Sequence, residues 1–158
     1  MSFVKRSDKV AYYGIEDGSF ERMTGFTDIS VSKNPREYTR QYVDQDFEQS
    51  DVVGFSPAIS FGFDQEKGNN VHNDIVSISD NELLGENAIR DIVLADFTEG
   101  DEENGYKAVK RSFAVIVSSE GNSGESYKYS GTFKVKGNKV FGKVKSNDNF
   151  KTVTFTED

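Results

Sequence analysis

Apolar and polar residues alternate at two-residue spacing along much of this chain, the period of strands buried on one face. Thr27, Ile29 and Val31 alternate with Asp28, Ser30 and Ser32, and Ile59, Phe61 and Phe63 with Ser60 and Gly62. Lys9–Tyr13 reads as an opening strand that stops at Gly14, and Val52–Phe55 and Phe150–Thr156 as further strands. Ile89–Phe97 and Val109–Val117 contain stretches that are apolar on both faces, as central strands are. Glu16-Asp17-Gly18-Ser19 carries turn chemistry, and the acidic run Glu99–Gly105 reads as a flexible loop tip.

Three segments depart from that period. Gly68-Asn69-Asn70 offers a cap, and Val71, Ile75 and Ile78 follow at helical spacing, which predicts one short helix ending near Gly85. Lys33–Asp51 holds neither period, and Pro35 discourages a regular strand at its start, so it reads as a long interaction loop. Tyr127–Lys136 and Lys139–Lys145 flank Gly137-Asn138, which predicts a two-residue hairpin. Its register would set Lys136 against Lys139, Val135 against Val140 and Phe133 against Gly142. The expected fold is mainly β: a β-sandwich or barrel-like domain of seven or eight antiparallel strands with one short flanking α-helix. It occupies residues 1–158 as a single domain, with its interaction loop at 33–51.

The chain has 158 residues, of which 35% are hydrophobic, so its core must lean on Phe, Val and Ile. A net charge of −8 argues against wrapping nucleic acid through phosphate contacts, since each contact needs a cation. With no cysteine, disulfides and thiolate metal sites are excluded. The stretch Met1–Val10 lacks the apolar run of a signal peptide, and no segment approaches the length of a membrane helix. The expectation is a soluble protein made in a cytoplasm, with no membrane partner.

Candidate chemistry is sparse. His72 is the only histidine, and in its Asn/Asp context it reads as a solvated residue or cap neighbour. Without cysteine or a second histidine, the usual nucleophile–base pair cannot be built. Gly121-Asn122-Ser123-Gly124 reads as a loop, with no lysine-serine pair or helix after it to cradle phosphate. Asp64-Gln65-Glu66 opens like a calcium loop but meets Ile75 where a bidentate Glu is required. Glu99 with Asp101, Glu102 and Glu103 reads as a solvated loop. No catalytic residue, metal ligand or cofactor is expected, and the chain reads as a non-enzyme.

The surface carries more signal. From Ser126 to Asn147 there are six lysines and no acid, which leaves −14 on the rest of the chain. In the predicted hairpin, Lys128, Lys134, Lys136, Lys139, Lys143 and Lys145 would share one face. That face either guards an exposed edge or meets an acidic surface on a neighbouring copy. In the 33–51 loop, Arg36, Tyr38, Arg40 and Tyr42 alternate the residue types that interfaces favour, followed by Asp44 and Asp46.

Residues 25–38, Gly-Phe-Thr-Asp-Ile-Ser-Val-Ser-Lys-Asn-Pro-Arg-Glu-Tyr, continuing through Arg40-Gln41-Tyr42-Val43-Asp44, resemble major tail proteins of long-tailed phages infecting Gram-positive bacteria. So do residues 53–61, Arg111–Val115 and Gly131–Gly137. The resemblance implies a tail-tube subunit, a virion structural protein whose hexameric rings stack into a hollow conduit for DNA. It implies inner strands joined around the ring and a long early loop reaching the adjacent ring, with Arg36, Tyr38, Arg40, Tyr42, Asp44 and Asp46 as contacts. The implied partners are further copies of the chain and other tail proteins (tape measure, terminator, baseplate), with DNA passing unbound. The alternative is a non-catalytic β-sandwich binding module or another virion component.

Overall fold

A computed structural model describes residues 2–16 and 18–158. The main sheet has nine strands: β1 (Lys9–Glu16), β2 (Ser19–Arg22), β3 (Phe26–Ser32), β6 (Ala58–Asp64), β7 (Ile89–Asp101), β8 (Gly105–Ser123), β9 (Ser126–Val135), β10 (Val140–Lys145) and β11 (Thr152–Glu157). A separate hairpin pairs β4 (Pro35–Arg40) with β5 (Gln49–Phe55). The helix, α1 (Asn70–Asp80), and a single helical turn at Gly85–Ala88 join β6 to β7.

The sheet order is β10-β11-β2-β1-β7-β8-β9-β6-β3, and β10 also pairs with β8. That extra pairing closes β10, β11, β2, β1, β7 and β8 into a six-stranded barrel. Tyr12, Phe20, Val93, Ala95, Ala108, Val144 and Val153 fill it. The Tyr12 hydroxyl donates to the carbonyl of Phe150 at 2.9 Å, and burial pushes this phenol up to about 12. Beyond the barrel, β8 continues into a flanking sheet with β9, β6 and β3.

A second core lies between one face of this extended sheet and α1. Alternation puts Ile59, Phe61 and Phe63 of β6, Phe113 and Val115 of β8, and Tyr129 and Phe133 of β9 against Val71, Ile75 and Ile78. Phe61 stacks on Phe133 with ring centres 4.4 Å apart. Asn69 caps α1: its side-chain oxygen accepts from the amides of Val71 and His72 at 3.1 and 3.2 Å. Asp74 clamps the helix to the sheet, accepting from the Tyr13 hydroxyl and from Nε of Arg90 at 2.9 Å.

The mainly β class with one flanking helix is as expected, but the strands number eleven among the described residues. The alternation does not reveal β2 or β4. In β4, Pro35 is the first residue, a position where the missing N–H costs no ladder bond. The region expected as loop 33–51 is therefore mostly hairpin. The strands β7 and β8 also run to Asp101 and from Gly105, so the acidic tip shrinks to residues 102–104, with Asp101 accepting from the amide of Asn104. Gly121–Ser123, expected as loop, belong to β8. The predicted turn at Glu16-Asp17-Gly18-Ser19 includes Asp17, which lies outside the described residues.

The Gly137-Asn138 hairpin is overturned. The strands β9 and β10 do not pair with each other; both run antiparallel to the same edge of β8, end to end. Phe113 faces Val135 and Lys110 faces Val140, so residues 136–139 kink one long strand rather than reverse it. Neither Gly137 nor Asn138 has the positive φ that a two-residue reversal demands. Pairing along β8 buries Phe133 in one core and Val144 in the other, and that double burial outweighs a local turn preference.

Candidate functional site

The β4–β5 hairpin stands off the body as an arm. Its ladder pairs Pro35 with Phe55 and Arg40 with Gln49, leaving residues 41–48 as the tip. Nearly every arm side chain is solvent-exposed, including Tyr38, Val52, Val53 and Phe55. A hairpin with this much exposed apolar side chain is the feature of this molecule least explained by its own two cores.

Arg40 organises the arm. Its guanidinium meets Asp51 across the ladder at 2.7 Å, Nε donates to the Tyr42 hydroxyl at 2.9 Å, and the group lies over the rings of Tyr38 and Tyr42. The Tyr42 hydroxyl and Asp51 carboxylate hold Arg40 above its already high range. Arg36 packs beside Gly54, where a Cβ would lie 2.5 Å from its Nη2. Gln45 closes the tip, its amide donating to the Tyr42 carbonyl and its own carbonyl accepting from Gln41. The structure thus brings Tyr38, Arg40 and Tyr42 into one cluster, while Asp44 and Asp46 remain exposed at the tip.

The six lysines do not share a face. Lys128 and Lys134 lie on the β9 face opposite Phe133, with Lys128 reaching Asp64 at 3.9 Å. Lys143 and Lys145 alternate with the buried Gly142 and Val144 on the barrel exterior. Lys136 and Lys139 fall in the kink, Lys136 donating its amide to the Ser112 carbonyl. The single basic face depended on the hairpin register, and it is lost with it.

The flanking sheet leaves two strand edges unpaired among the described residues. One is the outer edge of β3, and the other is β8 beyond Ala114, where its pairing with β7 ends. The sheet face turned away from α1 carries Asp28, Ser30 and Ser32, then Ser60, Gly62 and Asp64, then Lys128, Ser130, Thr132 and Lys134, and then Ile116 of β8. It is small, hydroxyl-rich and balanced in charge.

His72 is a core residue, contrary to the solvated reading. It is fully buried, stacks on Phe63 at 4.1 Å, and its Nδ1 accepts from the Glu66 amide at 3.1 Å. Burial lowers its pKa. A histidine at the third residue of a capped helix, in phase with Ile75, carried that signal. Among the described residues no group of three His, Asp or Glu side chains could hold a metal ion, and no helix is long and apolar enough to cross a membrane.

No protein-family model and no curated protein matches the sequence. Solved structures do match the fold. A chain in the virion of the native gene transfer agent (GTA) particle superposes with a TM-score of 0.64 at 12% identity, covering 88% of this chain and 98% of that one. A chain in the tail of the empty GTA particle, a tail with C6 symmetry, superposes with a TM-score of 0.64 at 14% identity over the same shares. At such identities the likeness establishes the fold.

Proposed function

We propose that this protein is the structural subunit of a phage-type tail tube, assembling as six-membered rings that stack into a hollow conduit for DNA delivery. Residues 1–158 act as one tube-forming unit of the virion, without catalysis, assembled in the host cytoplasm. The sequence resemblance favours the long flexible tails of phages of Gram-positive bacteria, with tape measure, terminator and baseplate proteins as further partners.

The observation that carries the reading is the pair of unpaired edges on the flanking sheet. Three antiparallel steps separate β8 from β3, so the two edge strands run in opposite directions. Rotation about an axis along the strands preserves direction. The β3 edge of one copy therefore meets the β8 edge of the next in antiparallel pairing, and the sheet continues without a break. With the sixfold symmetry of the GTA tail, four strands per copy give a closed wall of twenty-four, wide enough to leave a channel. Closure also removes the exposed edges, which are otherwise an aggregation hazard.

The hydroxyl-rich, charge-balanced face would line that channel, with Lys128 already paired to Asp64. It offers DNA no net cation to bind, so the duplex can pass. The arm, projecting from the body, would reach the adjacent ring through residues 36–46.

Negative-stain microscopy of concentrated protein, with light scattering over a concentration series, tests the proposal. Rings or tubes are expected, weakened when Arg40→Ala and Tyr42→Ala are combined. A solitary chain at millimolar concentration refutes the tube, and unaltered assembly of the double variant removes the arm from it.

A further inference from the structure

At the foot of the arm the α1-side face of the sheet is left uncovered by the helix, and it forms an open trough of about 520 Å³. Its floor is apolar, built from Val31, Phe55, Ile59, Leu94, Val109 and Phe113. Val31 and Phe55 stand 50% and 56% exposed, a large apolar investment for a surface facing water. Val31, Leu94 and Val109 also line an adjoining depression of about 360 Å³ that runs toward Lys9 and Lys107.

The rim of the trough is basic. Lys33, Lys139 and Arg111 stand along it, and none of the three forms an ion pair among the described residues. Arg111 is held in place because its Nε donates to the Gly137 carbonyl at 2.7 Å. An apolar floor with an unpaired cationic rim selects an apolar segment flanked by acids.

The arm tip has that composition. At the arm tip Val43 is 108% exposed and Phe47 60% exposed, and Asp44, Asp46 and Glu48 surround them with no cationic partner among the described residues. The chain's own tip cannot supply it. The paired strands β4 and β5 hold the tip about 20 Å from the arm foot, at roughly 3.3 Å per residue over six residues. Leu84, between Glu82 and Glu86, offers a single exposed apolar side chain because its neighbour Leu83 packs on the helix core, and the exposed N-terminal Phe3 and Val4 are followed directly by Lys5 and Arg6, which would meet the cationic rim.

We propose that the arm tip of one copy seats Val43 and Phe47 in the trough of a second copy, with Asp44 and Asp46 facing Lys33, Lys139 and Arg111. This rests on the tube reading and gives it a direction. Plug and socket lie at opposite ends of the arm, so the contact is head-to-tail and does not close on itself; each copy offers a vacant tip or socket to the next. Rings joined this way stack in one orientation without limit.

The absence of cysteine makes disulfide trapping clean. Val43→Cys and Val31→Cys both replace exposed side chains, so folding is preserved. Under mild oxidation the doubly substituted chain should give a ladder of covalent oligomers, and a mixture of the two single variants a heterodimer that neither gives alone. Tubes that form normally yet run as monomers on a denaturing gel overturn the docking and leave the tube reading standing. Trapping of Val4→Cys by Val31→Cys in its place overturns it too. If the unsubstituted chain forms no tube, the tube reading fails, and the mixture at millimolar concentration decides the contact alone: no heterodimer, no docking. Charge reversal provides a second test. Asp44→Lys with Asp46→Lys, and separately Lys33→Glu with Lys139→Glu, should each shorten or abolish assembly. The four changes combined should restore it, and a fourfold variant no better than either pair refutes the pairing.

Discussion

Removing Asp74 should destabilise the fold much more than removing the group it holds. The Tyr13 phenol is fully buried between β1 and α1, and its hydroxyl has Asp74 as acceptor. Burial and the neighbouring carboxylate both push that phenol far above its ordinary range, so it stays a donor at every accessible pH. Burial opposes the charge on Arg90, and its hydrogen bond and attraction to Asp74 outweigh the penalty. Tyr13→Phe deletes the donor but leaves Asp74 satisfied by Arg90 and partly solvated, a loss of about 1 kcal/mol. Asp74→Ala strands a buried hydroxyl, about 1–3 kcal/mol, and takes the carboxylate from Arg90, which keeps the carbonyls of Asn87 and Ile89 at 3.0 and 2.8 Å. The sum is about 2–4 kcal/mol. At roughly 2–4 °C per kcal/mol for a chain of this size, Tm should fall by a few degrees for Tyr13→Phe and by about 10 °C for Asp74→Ala. Combining them should recover part of the Asp74→Ala loss, because the stranded hydroxyl is gone. Calorimetry on dilute, unassembled protein reads all three. An Asp74→Ala variant no less stable than Tyr13→Phe, or strictly additive losses in the double variant, would refute this account of the clamp.

Other measurements probe the two cores and the barrel rim. The pKa of buried His72 is lowered, so below about pH 6.5 the unfolded chain takes up a proton that the folded chain resists. Its contribution is complete above that pH and declines as pH falls; the Tm difference between wild type and His72→Phe should shrink from pH 7.5 to 5.5, and a constant difference would contradict it. Asp148 accepts from Ser146, from the Thr152 hydroxyl and from the Thr152 amide, which hold its carboxyl down at about 2. Against an unfolded value of about 3.9, the stability these bonds give is present above pH 4 and lost as pH falls toward 2; a carboxyl titration by NMR near 4 would show the loop is not so built. Gly131 lies where a Cβ would sit 2.0 Å from the Ile116 carbonyl oxygen, beside the bulge between Val117 and Ser119. Gly131→Ala should cost about 1–3 kcal/mol by overpacking, read as a lowered urea midpoint, and an unchanged midpoint would be inconsistent with that approach.

Where pattern and structure agree, the cause is local. Alternation over Ile59–Phe63 survives because that strand buries one face against α1, and a one-residue slip would reverse it; over Thr27–Val31 only Ile29 packs on that core, and Val31 stays half-exposed. The helix starts where Asn69 can accept the first free amides. The arm's cluster is half legible: Tyr38, Arg40 and Tyr42 stand out by composition, but their meeting depends on the ladder that sets Asp51 beside them. The kink at 136–139 is the opposite case. Gly137-Asn138 carries the local chemistry of a reversal, and the chain bends there but continues in the same direction.

Period and caps therefore determined the β class and the flanking helix, since these depend on neighbours within a few residues. Tertiary structure decided the barrel closure, the two free edges, the scattering of the six lysines and the trough at the arm foot. Each of those requires strands far apart in sequence to choose a partner. That choice is made by which pairing buries more side chain, a quantity that no short window of sequence contains.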